Sequence, residues 1–519
     1  MNAPQVPLMH IGLVATQQPR RTAVVNADGA ALLSYEALDR RSRQLAIHLR
    51  NRGLVRGDHI AVLMRNSPEY LVVLWAAQRS GLYFTPLSWH LTVDEVRYVV
   101  EDCGAKALFV SPADAEVGET VLVGNARVEV RLVDGASVGL FEPLSSVYES
   151  VDAAAVLDEC EGVSMCYSSG TTGRPKGIKR PAAFPPLGTP APQDMLLSHF
   201  YGLNDETVNL QIAPMYHAAP LAWAMATTRF GGTLVLMEKF DAKATLENVE
   251  RHKVTHLHMV PTMMVRVMDL PEPERGRFDL SSLKCLAHAA APCPPEVKHS
   301  MIDWLGPIVA EYYAGSEGIG MTFVGSADWL AHPRTVGRAV YGKIHILDDE
   351  GNELPTGEVG TIHFGGTPAF EYHNDPEKTR KVFSQQGYAT YGDFGYVDAD
   401  GFLFIEDRRT DLILSGGVNI YPRETEEALL AHPSIYDVAV IGVPNVEFGQ
   451  DVMAVVELHP GFVASAALAA ELIEFSRSRI AHFKCPRRVE FQPLPRTATG
   501  KLLRRRLKEQ FSVNPTTNA

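Results

Sequence analysis

The sequence predicts an α/β protein in two parts. One is a large N-terminal domain of stacked α/β layers plus a small β-barrel-like region; the other is a small α+β C-terminal domain. Three observations carry this. The first half alternates amphipathic helical stretches with short apolar runs, the pattern of β–α units around mainly parallel sheets. After about residue 340 the texture shifts to short strands around acidic, Gly-containing turns, which suggests hairpins. The charged stretch EDRRTD at 406–411 then precedes a last segment with its own strands and helices. Domains are therefore expected at 1–406 and 412–519, joined through 407–411.

Residues 35–52 place Leu38, Leu45, Ala46 and Leu49 along one helical face, with Gly53 as the C-terminal cap. HIAVLM at 59–64 reads as a buried strand. Thr92-x-x-Glu95 is a capping-box pattern ahead of Val96, Val99, Val100 and Cys103, spaced i, i+3, i+4, i+7. Gly104 ends that helix and Ala107–Val110 is the next apolar strand. Farther on, Lys343–Leu347 and 360–364 flank the turn DDEGNELPTGEVG and read as a hairpin. DADG at 398–401 lacks the ligand spacing and the bidentate Glu of an EF-hand, so it too reads as a hairpin turn.

Composition narrows the function classes. The chain has 519 residues, 46% hydrophobic and 21% charged, as in ordinary globular proteins, and is long enough for large buried cores. Its formal charge is −13, which disfavours a general nucleic-acid binder. The longest apolar run, 70–77, falls far short of the roughly 20 residues that span a bilayer, so no transmembrane segment is expected. The opening MNAPQVPLMH has no basic segment followed by an apolar stretch, and a cytoplasmic location is expected. Cys103, Cys160, Cys166, Cys285, Cys293 and Cys485 form no C-x-x-C pair and no zinc-like cluster, so reduced thiols are expected.

The sharpest local signal is YSSGTTGRPKG at 167–177. Ser168, Ser169, Thr171 and Thr172 supply hydroxyls; Gly170, Gly173 and Gly177 let backbone N–H groups approach phosphate oxygens; Lys176 adds charge. It is not a Walker A loop, and Pro175 argues against direct entry into a helix. Alone, such a stretch suits a polyphosphate and a flexible surface loop equally well.

It does not stand alone. SSGTTGRPKG closely resembles the phosphate loop of the adenylate-forming superfamily, which includes acyl-CoA synthetases, peptide-synthetase adenylation domains and firefly luciferase. Six further segments resemble that family's motifs, in its order: PMYH at 214–217, YAGSE at 313–317, YGDFG at 391–395, DRRTD at 407–411, SGGVNIYP at 415–422 and PRTATGK at 495–501. The resemblance covers nearly the whole chain, from about residue 10 to 510.

The resemblance implies a carboxylate joined to the α-phosphate of ATP, giving acyl-AMP and pyrophosphate, then transfer of the acyl group to CoA. It assigns the segment from Ser168 to Lys176 to the β- and γ-phosphates and Ser316 to the α-phosphate. Glu317 falls to Mg²⁺, Asp393 and Arg408 to the ribose, and Lys501 to the bridge between carboxylate and α-phosphate. His217 would pack beside the acyl group. The C-terminal domain would swing about Thr410, where Lys or Asp is commoner, and Ser415, Gly416 and Gly417 would line the CoA channel. Ala314 stands where the family has glycine, beside the acyl group. Two anions must meet in the first step, so charge stabilisation and positioning are what the chemistry asks of these residues.

Segments 217–232, 259–265 and 285–295 are candidates for the acid pocket. They carry Trp223, Met225, Met263, Met264 and many alanines with few charges, which suits a fatty, aromatic or steroid-side-chain acid; the same residues also serve as ordinary core filler. VPTMMVR followed by AHAAAPCPP is most similar to bacterial fatty-acid and bile-acid-type CoA ligases. Rival readings change the acceptor to an amine or a carrier protein, reuse acyl-AMP in a luciferase-like oxygenase, or drop catalysis for nucleotide-dependent regulation. His256, His258 and His288 share no metal-ligand spacing. Nine Lys and Arg lie between 484 and 508; they read as a solvated face, some of them open to the 3′-phosphate of CoA. The resemblance leaves a homodimer and a monomer both open.

Overall fold

The computed structural model describes residues 9–30, 32–153, 156, 158–168, 175–408, 411–415, 418–445, 448–496 and 502–512. The chain divides into two compact units: 1–290 with 299–318 and 368–381, and 291–298 with 319–367 and 382–519.

The first unit is built on two parallel sheets. One has six parallel strands in the order Glu142–Pro143, Val130–Val133, Ala107–Val110, His59–Leu63, Tyr83–Pro86, Val163–Ser164. In the other, Val309–Ala314, Cys285–His288, His256–Met259, Val208–Gln211, Thr233–Leu236 and Thr22–Asn26 run parallel, and Leu32–Ser34 closes the edge antiparallel. One buried cluster joins Ile60 and Val62 of the first sheet to Val24, Leu234 and Leu236 of the second through three helices. These are Tyr35–Asn51, Pro68–Arg79 and Ala218–Arg229. The 70–77 run lies in the middle one and is buried on every side, which explains why that helix has no polar face. Thr92 and Glu95 form the expected reciprocal cap on Val93–Asp102.

Buried ion pairs tie these layers. Arg229 meets Glu161 at 2.9 Å and Asp194 at 3.3 Å, and Arg79 meets Asp39 at 2.7 Å and Glu159 at 2.8 Å. A small antiparallel sheet of Tyr167–Ser168, Lys176–Lys179 and Glu371–Tyr372 completes the unit.

The second unit holds two further sheets. Lys343–Leu347, Gly360–Gly365, Ala389–Val397 and Leu403–Arg408 form an antiparallel meander, with the expected hairpin turn at Asp398 and Gly401. The other joins Val418–Ile420, Ile413–Ser415, Gly449–Leu458 and Ile435–Asn445, with Arg488–Phe491 added in parallel. Helices Pro422–Leu430 and Ala466–Arg477 pack leucines, with sheet valines and isoleucines, into its core. None of the six cysteines forms a disulfide, and burial pushes the thiols of Cys103, Cys166 and Cys285 up. Among the described residues no helix is long and apolar enough to cross a membrane.

Candidate active site

The two ends of the Gly/Ser/Thr segment pair with each other. Tyr167–Ser168 and Lys176–Lys179 run antiparallel and pair Ser168 with Lys176 and Tyr167 with Gly177. The chain leaves Pro175 as a strand, as its residue type predicts. Gly177 must lack a side chain, since a Cβ there would lie 2.9 Å from the Tyr167 ring. Ser169, Gly170, Thr171, Thr172 and Gly173 lie outside the described residues, as does the Ser168 side chain.

Lys176 is described, and it is tethered. Its Nζ lies 3.1 Å from Asp375 Oδ2. Asp375 Oδ1 accepts from the Lys378 backbone N–H at 3.0 Å. That backbone bond, then Lys176, holds the Asp375 carboxyl below its usual range.

Ser316 and Glu317 lie just past the C-terminal end of the parallel strand Val309–Ala314, the end at which open α/β sheets bind ligands. Arg180 Nη2 donates to the Ser316 carbonyl at 2.9 Å. Gly318 turns the chain at φ 66°, and a Cβ there would lie 2.5 Å from the Arg180 guanidinium. Tyr372 Oη donates to Glu317 Oε1 at 2.9 Å. Lys378 Nζ stands 3.9 Å from the Tyr372 ring centroid. Burial, then the neighbouring Lys176 ammonium, pulls Lys378 below its ordinary value, while Glu317 opposes.

One short segment, 371–379, thus connects Lys176 to Glu317, and the sequence reading missed it. Its available signal is Asp375-Pro376, a helix cap followed by proline at the first helical position. With one oxygen fixed by Tyr372, Glu317 is the carboxylate that could share a divalent cation with phosphate oxygens. Lys176, Lys378 and Arg180 are the cations.

His217 caps the N-terminus of helix Ala218–Arg229, half-buried, its ring 4.4 Å from that of Tyr216. Trp223 on that helix contacts Tyr201 at 5.1 Å and His258 at 5.4 Å between ring centroids. His258 Nε2 and Tyr312 Oη share a hydrogen bond of 2.9 Å. The register aligns His258 with Ala287 and Ala287 with Ala310, so His258 and Tyr312 rise from one face of the sheet. Burial, then His288, pushes His258 down to about 3. Met225 belongs to the large core, one of the two roles expected of it. Tyr201, His258 and Tyr312 lie outside the segments proposed for the acid pocket and bring hydroxyls and an imidazole to Trp223.

In the second unit, Asp393 is buried at 4% exposure and is the direct cross-strand partner of Arg408. The two residues assigned to the ribose therefore face each other in one antiparallel pair. Ser415 pairs with Val418. Gly416, Gly417, Thr410, Lys501 and the Arg408 side chain lie outside the described residues. Much of the basic C-terminal stretch is ion-paired: Lys484 with Glu424, Arg487 with Asp451, Arg496 with Asp437, Arg504 with Glu426, Lys508 with Asp411. Lys484, Arg496, Arg504 and Lys508 are half-buried, against the solvated-face expectation, whereas Arg487, Arg505 and Arg506 are exposed; the partners of these pairs lie on the same unit.

Residues 13–371 match the family described as AMP-binding enzyme, and 424–501 match the AMP-binding enzyme C-terminal domain. A feruloyl-CoA synthase from Amycolatopsis sp is 33% identical over 502 residues, covering 96% of this chain and 97% of the relative. The fatty acid–[acyl-carrier-protein] ligase ScoC of Streptomyces coeruleorubidus is 31% identical, covering 96% of this chain and 95% of the relative. Among solved structures, ATP-bound MatB from Rhodopseudomonas palustris superposes with a TM-score of 0.83 at 27% identity, covering 97% of this chain and 99% of that one.

Proposed function

The chain belongs to the AMP-binding enzyme family, and from that premise we propose that it is an AMP-forming acid:CoA ligase acting on a hydrophobic carboxylic acid. A carboxylate oxygen attacks the α-phosphorus of ATP and the bond to pyrophosphate breaks. The CoA thiolate then attacks the acyl carbonyl and AMP leaves. The observation that carries this reading is the cation and carboxylate group of Lys176, Lys378 and Glu317, gathered by Asp375 and Tyr372 beside the end of a parallel strand.

In this reading Lys176 and the hydroxyls of Ser168, Ser169, Thr171 and Thr172 hold the β- and γ-phosphates, with Gly170 and Gly173 admitting them close to backbone. Ser316 meets the α-phosphate, and Asp393 with Arg408 holds the ribose. Glu317 holds Mg²⁺, which would neutralise phosphate charge when bound. Lys501 stabilises charge growing at phosphorus during adenylation. Residues 407–411 join a domain at 1–406 to a mobile one at 412–519, with Thr410 as the hinge, so that Lys501 withdraws and Ser415, Gly416 and Gly417 admit CoA. A cytoplasmic location and a homodimer belong to the same reading; cell fractionation and light scattering test them.

Within the class of hydrophobic acids, the box of Tyr201, Trp223, His258 and Tyr312 favours a ring-bearing acid over an unbranched chain. Flat rings pack on such faces, and the Tyr312 hydroxyl offers a polar end. Similarity to a feruloyl-CoA synthase supports this. Similarity to ScoC keeps a carrier protein as the alternative acceptor.

The test incubates the protein with Mg-ATP and a panel of fatty, aryl and bile acids, with and without CoA, and follows AMP, acyl-AMP and acyl-CoA by mass spectrometry. CoA-dependent thioester together with AMP is the expected result. Acyl-AMP without thioester would move the acceptor to an amine or a carrier protein.

A further inference from the structure

The motif at 167–177 carries one lysine, and that lysine is already paired with a carboxylate. Lys176 Nζ sits 3.1 Å from Asp375 Oδ2. Two ATP phosphates, and the pyrophosphate they become, carry more charge than one shared ammonium meets. We propose that Lys378 is a second phosphate-binding cation of the active site, engaging the β- and γ-phosphate oxygens of ATP and the pyrophosphate leaving group. This rests on the ATP-site reading above and gives a specific role to a residue outside every sequence motif of the family resemblance.

Three features of the geometry support the assignment. Lys378 is anchored to the same carboxylate as Lys176: its backbone N–H donates to Asp375 Oδ1 while Lys176 takes Oδ2. The segment behind it is fixed at both ends. Thr379 Oγ1 donates to the Asp375 carbonyl at 2.9 Å and accepts from the Tyr372 N–H at 2.9 Å. Third, the Lys378 ammonium is directed over the ring of Tyr372, at 3.9 Å from its centroid, and Tyr372 itself donates to Glu317.

Its helix neighbour Lys381 behaves as a surface lysine does, exposed and paired with Glu377 one turn back. Lys378 is instead half-buried and close enough to Lys176 and Glu317 to feel both charges. Two ammonium groups held near each other repel, and a polyanion between them converts that cost into attraction. The same arrangement makes Lys378 a gauge of the γ- and β-phosphates and leaves it indifferent to AMP, which lacks both.

The experiment is calorimetric titration of the full-length protein with Mg-ATP, Mg-pyrophosphate and AMP, which requires no knowledge of the acid. Lys378→Gln should weaken Mg-ATP and pyrophosphate binding about tenfold, the loss of one charge-assisted hydrogen bond. AMP affinity should stay within about twofold, and Lys378→Arg should restore most of the lost affinity. Thermal melting of each variant separates misfolding from a local effect. Unchanged ATP and pyrophosphate binding in Lys378→Gln, or an equal loss for AMP, overturns the proposal. A wild-type chain that binds neither Mg-ATP nor pyrophosphate overturns the ATP-site reading, and this assignment falls with it. Should Lys378→Gln melt far below wild type, Lys378→Met, which keeps the aliphatic stem over Tyr372, decides by the same ATP-to-AMP contrast.

Discussion

The phenol of Tyr372 donates a 2.9 Å hydrogen bond to Glu317 Oε1, joining a two-residue strand to the loop that follows Val309–Ala314. Because 55 residues separate them in sequence, the bond sets the direction of the carboxylate independently of its own loop. A carboxylate that shares a cation with phosphate oxygens gains from such fixing, since metal ligands are oriented by the groups bonded behind them.

Replacing Tyr372 by Phe keeps the ring beneath Lys378 and removes only the hydroxyl. The Mg²⁺ concentration for half-maximal acid-dependent ATP–pyrophosphate exchange should rise about tenfold, the size of one hydrogen bond to a charged group. KM for the acid should stay near wild type. A Mg²⁺ titration of both proteins at fixed ATP reads the difference, and coincident curves would remove Glu317 from the metal site.

Lys501 has one assigned task, in the first half-reaction. Lys501→Ala should lower acyl-AMP formation about 10²- to 10³-fold, as expected when a preorganised charge is lost from a developing anion. Thioester formation from supplied acyl-AMP and CoA should change far less. Quenched-flow measurement of both half-reactions decides, and equal losses would contradict the role.

What the sequence made legible depended on how local the determinant was. Thr92 and Glu95 lie within one turn, and their capping box is present as read. The hairpin across Asp398–Gly401 was equally local, and its strands bring Asp393 opposite Arg408. That pairing was not readable, because a register shift between Phe394 and Gly395 changes the count across the turn. The segment 371–379 was missed for a different reason. A two-residue strand and a six-residue helix are too short for periodicity to register. His258 and Tyr312 meet because their parallel strands flank a third, an adjacency that a separation of 54 positions in sequence does not reveal.

The hydrogen bond between those two gives a specificity prediction. In the proposed reading the Tyr312 hydroxyl is the group by which the His258 pair meets a bound acid. In Tyr312→Phe the kcat/KM for hydroxylated aryl acids should fall about tenfold relative to their unsubstituted analogues, because a polar substituent then faces an apolar edge. Competition assays with paired acids measure the ratio directly. An unchanged ratio would place the polar end of the acid elsewhere.

His258 also sets a pH dependence of stability. Its folded value is pushed down to about 3, whereas the unfolded side chain titrates near 6.5. Between those values the unfolded chain binds a proton that the folded chain refuses, so stability rises with pH and is lost on acidification below 6.5. Moving from pH 7 to pH 5 should cost roughly 2 kcal/mol through this residue. The carboxyls of Glu69, Asp134 and Asp194, raised by burial, act in the opposite sense, so the net slope alone does not isolate the histidine. His258→Gln does, since it keeps a hydrogen-bonding group for Tyr312 and removes the titration. Urea denaturation of both proteins at pH 5 and pH 7 should give a smaller pH difference for the variant by that amount. Equal differences would mean that His258 is protonated in the folded protein and that the Tyr312 hydroxyl acts as its acceptor.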